Sequence, residues 1–226
     1  MTESLTMAAL QGKLSDPEMG VRMGVLNQSR HLDDRERWQL MQVAAKDANA
    51  RIRYGAISQM ATLGHVDGAA AAELLGDALC SDPEIDVRAA AADALGALKF
   101  HGAFPILAEV FAATNDWLLQ FSVVAALGEL GNPEAFDLLE RATLNPNELV
   151  RIAAIGALGE LGDSRALPVL LRFTADPDWQ IRHRVAQALG TFGYPEARQA
   201  LDQLQRDESS QVAEAAQLAI ANYLST

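Results

Sequence analysis

Residues 145–162 read NPNELVRIAAIGALGELG, and residues 176–193 read DPDWQIRHRVAQALGTFG. Superimposed at an offset of 31 residues, the two segments share a proline after Asn or Asp, a β-branched residue followed by arginine, and a closing Ala-Leu-Gly. The phrase Asp-Pro-x-x-x-Val-Arg recurs upstream as Asp16-Pro17 with Val21-Arg22, Asp47 with Ile52-Arg53, and Asp82-Pro83 with Val87-Arg88. Two weaker copies carry Gln120 and Ala213 at the arginine position. The seven positions are separated by 31, 35, 32, 31, 31 and 31 residues, a fixed period that marks a repeat architecture. No stretch is left over for a linker, so a single repeat domain spanning 1–226 is expected.

Each repeat reads as two helices. The Asp or Asn is expected to cap the second helix by accepting from first-turn amides, with proline at the first helical position. Val150, Ala154 and Leu158, and Ile181, Val185 and Leu189 one repeat on, recur every four residues and define a buried stripe. Gly128, Gly159 and Gly190, or the glycines three residues later at 131, 162 and 193, are expected to end the second helices. The first helices are expected at Pro133 to Leu144, Ser164 to Ala175 and Pro195 to Arg206, and capping helices at Thr6 to Leu14 and Ser210 to Leu224. A single pair is too thin to bury its apolar face, so neighbouring pairs must stack. The expected fold is all-α, an α-solenoid of about seven HEAT-like helix pairs, with no strand.

The recurrent arginine lies beside the core stripe. Its expected role is an inter-repeat ladder, in which each guanidinium bridges to the Asp of an adjacent repeat and to loop carbonyls. Gln120, with Thr114 in place of the Asp, is expected to break that ladder.

Half of the chain is apolar and 21% is charged, which fits a folded, soluble protein. The net charge of −12 repels phosphate backbones and anionic lipid, so nucleic acid and membrane insertion are disfavoured. Nearly all of the excess lies between Tyr54 and Glu140, where Arg88 and Lys99 are the only cations among 13 acidic residues. That segment is either a solvated face or a surface for a basic partner. The lone cysteine, Cys80, is read as a small buried residue, and the first five residues lack a secretory pattern. A reducing cytoplasm and a monomer are expected.

Departures from a repeat are where function is sought. Three residues before and one after the arginine position lie on one flank of the second helix. There the fourth repeat carries Trp117 and Phe121, the sixth Trp179 and His183, and the second Ala50 and Tyr54. Second helices normally line the concave side of such stacks, so these residues are candidate anchors for a partner or planar ligand; equally, each tryptophan could cover its own loop. Arg151 and Arg182 are the candidate cations for a carboxylate-bearing ligand. Catalytic and metal motifs are sparse: no His-Glu dipeptide, His-x-x-x-His spacing, P-loop or Gly-x-Ser-x-Gly occurs. No resident cofactor or metal and no catalytic residue is expected, and His183 is a thin candidate for acid–base work.

The short period and the Asp-Pro-x-x-x-Val-Arg phrase resemble the phycobilin-lyase type of HEAT-like repeat. The likeness is carried by ARIRYGA at 50–56, by Ala89 to Leu98, by WLLQFSVVAALGELG at 117–131 and by DPDWQIRHRVAQAL at 176–189. The resemblance implies a cytoplasmic protein that meets thylakoids only through phycobilisomes. Its implied partners are phycobiliproteins and, transiently, phycocyanobilin, a linear tetrapyrrole. The roles implied are antenna disassembly during starvation, bilin attachment or removal, or adaptor binding without pigment. The resemblance transfers no catalytic residue, and lyases of this type act as pairs of different chains.

Overall fold

The computed structural model describes residues 6–223. Among them there are fourteen α-helices, three short 3-10 turns and no strand. The chain forms two compact units, Met1–Ile106 and Leu107–Thr226. The first contains α1 (Met7–Lys13), α2 (Met19–Gln28), α3 (Asp34–Ala44), α4 (Ala50–Leu63), α5 (Gly68–Ser81) and α6 (Ile85–Ala97). The division falls within α7 (Phe104–Ala113). The second unit continues with α8 (Trp117–Leu130), α9 (Phe136–Ala142), α10 (Glu148–Leu161), α11 (Ala166–Leu171), α12 (Trp179–Leu189), α13 (Pro195–Leu204) and α14 (Ser210–Tyr223). The first terminal helix falls inside the expected Thr6 to Leu14 stretch, with those two residues as its N- and C-caps, whereas Leu224 lies outside the described residues.

Even-numbered helices are the second members of the seven pairs. They pack side by side within each unit, α2 on α4 on α6 and α8 on α10 on α12 on α14. The first helices form the other layer. The stripe read from the sequence is the core between them: Val150, Ala154, Leu158, Ile181, Val185 and Leu189 are all buried. Truncating one such leucine to alanine costs about 2–5 kcal/mol in a core of this kind.

The second helices start later than the sequence suggests. Each begins three residues after the Asp or Asn, and the N-cap is the residue between, Asn49, Asp116, Asn147 or Asp178. The earlier side chain instead folds a turn, Asp16 accepting from the Glu18 amide at 2.8 Å, Asp47 from Asn49 at 2.7 Å and Asp176 from Asp178 at 2.9 Å. The reason lies in the arginine. Nη1 of Arg22 donates to the Asp16 and Pro17 carbonyls, and Nη1 of Arg182 donates to those of Asp176 and Pro177, which holds both peptide groups in the turn.

The remaining guanidinium donors build the expected ladder. Arg22 grips Asp47 at 2.6 and 3.0 Å, Arg53 grips Asp82 at 2.7 and 2.8 Å, and Arg182 grips Asp207 at 2.7 and 2.8 Å. The ladder is interrupted where Thr114 stands in place of the Asp, since Arg88 Nε donates to the Leu79 carbonyl at 2.8 Å and makes no ion pair among the described residues, but Gln120 itself keeps a rung. Its Nε2 donates to the Thr114 carbonyl at 2.9 Å, and its Oε1 accepts from Asn145 Nδ2 at 3.0 Å, so a neutral amide pair forms the rung.

Glycine serves two purposes. Gly131 and Gly162 end α8 and α10 with φ of 67° and 66°, a left-handed conformation that spares glycine a steric penalty. Gly128 and Gly159, by contrast, lie within their helices: a Cβ would stand 2.7 Å from the Ala157 Cα and 2.8 Å from the Ala188 Cα. They set the close approach of successive second helices. The first helices are shorter than expected where the chain tightens: α11 gives way to bonds from Arg172, Phe173 and Thr174 to carbonyls three residues back. Cys80 is exposed, because the buried row of α5 is Ala71, Leu75 and Leu79 and Cys80 lies off it.

Candidate ligand- and partner-binding face

Asp116 accepts from the Leu118 and Leu119 amides, and Asp178 from Gln180, so α8 and α12 both open on a tryptophan. A tryptophan at the first helical position has no preceding turn to pack on. Trp117 is accordingly 46% exposed and Trp179 41%. Phe121 and His183 follow one turn later, each partly exposed. The Trp179 and His183 rings meet edge-on, with centroids 6.4 Å apart and planes at 70°. Between the two helices, α10 carries Glu148 and Ile152 at the same positions. A hydrogen bond with the Asp178 carboxylate, and its charge, raise the Glu148 carboxyl above its ordinary value. Tyr54 stands on α4 of the first unit, also about half exposed.

Two grooves open on the second helices of this unit. One, of about 350 Å³, has Phe121, Ala125, Ile152 and Ala157 as apolar lining, with Glu129, Glu160 and Arg184 as its charged members. The other, of about 500 Å³, runs between α12 and α14 and includes His183, Gln187, Gln211 and Leu218. The structure therefore assigns Phe121 and His183 to different grooves, and neither indole lines these two.

The two candidate arginines part company. Arg182 is 7% exposed, and its donors are taken by Asp207, Glu208 and the carbonyls of Asp176 and Pro177. It belongs to the ladder, and the expectation that it meets a ligand is corrected on that ground. Arg151 donates Nη1 to the Asn145 and Pro146 carbonyls at 3.0 and 3.2 Å, but no carboxylate lies within 4.0 Å of it among the described residues.

Arg184 is the cation that the sequence reading missed. Its guanidinium lies across Gly156 of α10, in space that a Cβ there would occupy. Nη2 donates to Glu160 at 3.2 Å and Nη1 to Gln187 at 3.2 Å. Burial raises the Glu160 carboxyl above its ordinary value; the Arg184 charge opposes this and Glu129 adds to it. The signal was available: two residues after the arginine position the other repeats carry Gly24, Gly55, Ala90, Ser122, Ala153 and Ala215, and only the sixth carries a long charged side chain.

Among the described residues no three His, Cys, Asp or Glu side chains are grouped so as to hold a metal ion, and no helix is long and apolar enough to cross a membrane.

These features define a class first: paired helices in register, close-packed through glycine, with an arginine–aspartate ladder and variable side chains on the outward flank of the second helices. The model for HEAT repeats matches residues 38–121, 72–153 and 142–221, and the chain belongs to that family. Among solved structures it is similar to the complex of CpcE and CpcF of phycocyanin lyase from Nostoc sp. PCC7120, at 21% identity over 97% of this chain and 95% of that one, with a TM-score of 0.62. It is also similar to an archaeal HEAT-like repeats protein from Thermococcus onnurineus NA1, at 13% identity over 99% of each chain and a TM-score of 0.61. Kap95p, solved with RanGDP, matches at 16% identity over 100% of this chain and 36% of its own, with a TM-score of 0.64. At these identities the likeness is one of fold. No curated protein matches the chain.

Proposed function

We propose that the outward flank of α8, α10 and α12 binds a phycobiliprotein or its linear tetrapyrrole, and that the chain serves phycobilisome disassembly and degradation during nutrient starvation. The resemblance to the phycobilisome degradation protein of cyanobacteria, non-bleaching protein B, supports the biological setting. Similarity of fold to the CpcE and CpcF complex of phycocyanin lyase supports a bilin-related or protein-binding role. The observation that carries the reading is the pair of indoles, each about half exposed at the first position of its helix, two repeats apart in one unit. Large aromatic surface left open at equivalent positions is what a binding face offers, because burying it on a partner releases more free energy than burying smaller side chains.

Arg184 and Arg151 would take the propionates of a tetrapyrrole through charge-assisted hydrogen bonds. His183 is the only imidazole of the second unit, and the reading is binding rather than independent bond cleavage. Titration with free phycocyanobilin and with chromophorylated phycocyanin, followed by absorbance and tryptophan fluorescence, tests it. Trp117→Ala with Trp179→Ala should weaken binding at least about tenfold, in line with the loss of two central aromatics. Unchanged affinity would remove this face from the proposal. Chromophorylated phycocyanin incubated with the protein alone should keep its bilin; release would make the chain an enzyme.

A further inference from the structure

The spacing between Arg53 and Arg88 is 35 residues where four of the other five are 31, and the extra length falls in the repeat that contains α5. α5 has 14 residues against 11 in α3. At 1.5 Å per residue its wall is about 21 Å long. α3 packs on α4 and α5 on α6, and Gln42 of α3 with Ala45, Lys46 and Asp47 of the turn after it faces α5 across a groove of about 570 Å³. Ile57 and the Arg53–Asp82 rung contribute to the groove from α4 and the loop after α5.

The α5 wall has two rows. Ala70, Leu74 and Ala78 form an apolar row at four-residue spacing, and Glu73 and Asp77 lie beside it, one turn apart and exposed. α5 contains no lysine or arginine, and neither carboxylate makes an ion pair among the described residues. Two like charges at this spacing repel each other on the helix surface. A cation from outside would relieve that repulsion. Lys46, on the opposite rim, would repel a basic residue there, so charge confines a basic row to the α5 side.

We propose that this groove seats a basic amphipathic helix of a partner protein, with an apolar stripe against Leu74 and Ala78 and two Lys or Arg residues four apart against Glu73 and Asp77. The groove belongs to the first unit and stands independently of the pigment-binding reading. A half-buried apolar row beside unpaired charge at helical spacing is the complement of an amphipathic helix.

The test uses the full chain and three series of synthetic 14-residue helical peptides carrying one leucine stripe: Lys/Arg at i and i+4, Glu at those positions, or Gln. Fluorescence anisotropy should show saturable binding of the basic series alone, weakening as salt rises. Glu73→Lys with Asp77→Lys should lower affinity at least about tenfold. Glu134→Lys with Asp137→Lys, which makes the same change in net charge on the second unit, should lower it less than about twofold. Hydrogen exchange with bound peptide should show protection in α3 and α5. Equal losses in the two double variants, protection elsewhere, or no saturable binding by any basic peptide would overturn the proposal. Circular dichroism of both variants separates lost binding from lost fold.

Discussion

The first unit and the second use the same position of the repeat in different ways. In the first, Arg22 and Arg53 each clasp a carboxylate of the following repeat, with little of either partner exposed, and Arg88 donates to the Leu79 carbonyl. In the second, the three successive rungs are an amide pair, an arginine bound to carbonyls alone, and a full ion pair. The backbone geometry is nevertheless shared: Gln120, Arg151 and Arg182 all reach back to the carbonyl six residues earlier. At these three positions a long donor holds the turn, whereas Arg88 reaches the Leu79 carbonyl instead and Ala213 supplies no side-chain donor. Charge pairing across to the next repeat is an addition, present or absent without change of fold.

That comparison is broken most severely at a full rung. Arg182→Ala leaves the Asp207 carboxylate in a site 9% exposed without its guanidinium, and should cost about 3 kcal/mol or more in urea unfolding. Arg151→Ala leaves no such carboxylate and should cost about 1 kcal/mol, the worth of the carbonyl bonds alone. Equal costs would mean that the ion pair adds nothing to the rung.

Acid should separate the rungs in the same sense. Burial works against Asp47 and Asp82, yet the hydrogen bonds and charge of their arginines hold both below the ordinary carboxylate value. Arg182 holds Asp207 down likewise. A carboxyl lowered by folding contributes stability at pH above its unfolded value of about 3.9, and that contribution disappears as pH falls through the folded value. The Gln120–Asn145 rung carries no proton to titrate. Hydrogen exchange below about pH 4 should therefore rise at the charged rungs of α2 and α4 before it rises at α8.

A double-mutant cycle would convert one kind of rung into the other. Gln120→Arg and Asn145→Asp should each destabilise when made alone, and together should recover about 1–3 kcal/mol of coupling. Smaller again is the exchange of helix ends. Lys99 closes α6 at φ 51° where Gly131 closes α8 at 67°. Lys99→Gly should raise stability by about 1 kcal/mol and Gly131→Ala lower it by a similar amount, both read from thermal melts. Least of all should be the stability effect of Trp117→Ala, within about 0.5 kcal/mol, while ligand affinity falls. A large loss of stability would show that the indole covers its own loop.

The helix pairs and the ladder were legible because both rest on spacing. Stripe residues such as Val150 and Leu158 must recur at the helical period, and an arginine that meets the next repeat must recur at the repeat period. The helix start was misread because Asp at a cap and Asp in the turn before a cap look identical until the arginine's carbonyl partners are known. Gly128 and Gly131 posed a similar problem: each can end a helix, and only the neighbouring Ala157 backbone shows that the first is a contact point. For the candidate site, Trp117 and Trp179 were found as departures from the repeat. Arg184 was overlooked because a charged residue on an exposed helix attracts no notice, although a mid-helix glycine at 156 marks the place where its side chain lies.

The ladder also has a direction. In each full rung, Arg22, Arg53 and Arg182 reach forward, to a carboxylate 25 or 29 residues further along, and none of these three rungs reaches backward. A chain emerging from its amino end would therefore carry the Arg22, Arg53 or Arg182 guanidinium without its carboxylate until the following repeat is made. Loss of the last repeat strands a cation, whereas loss of the first strands an anion.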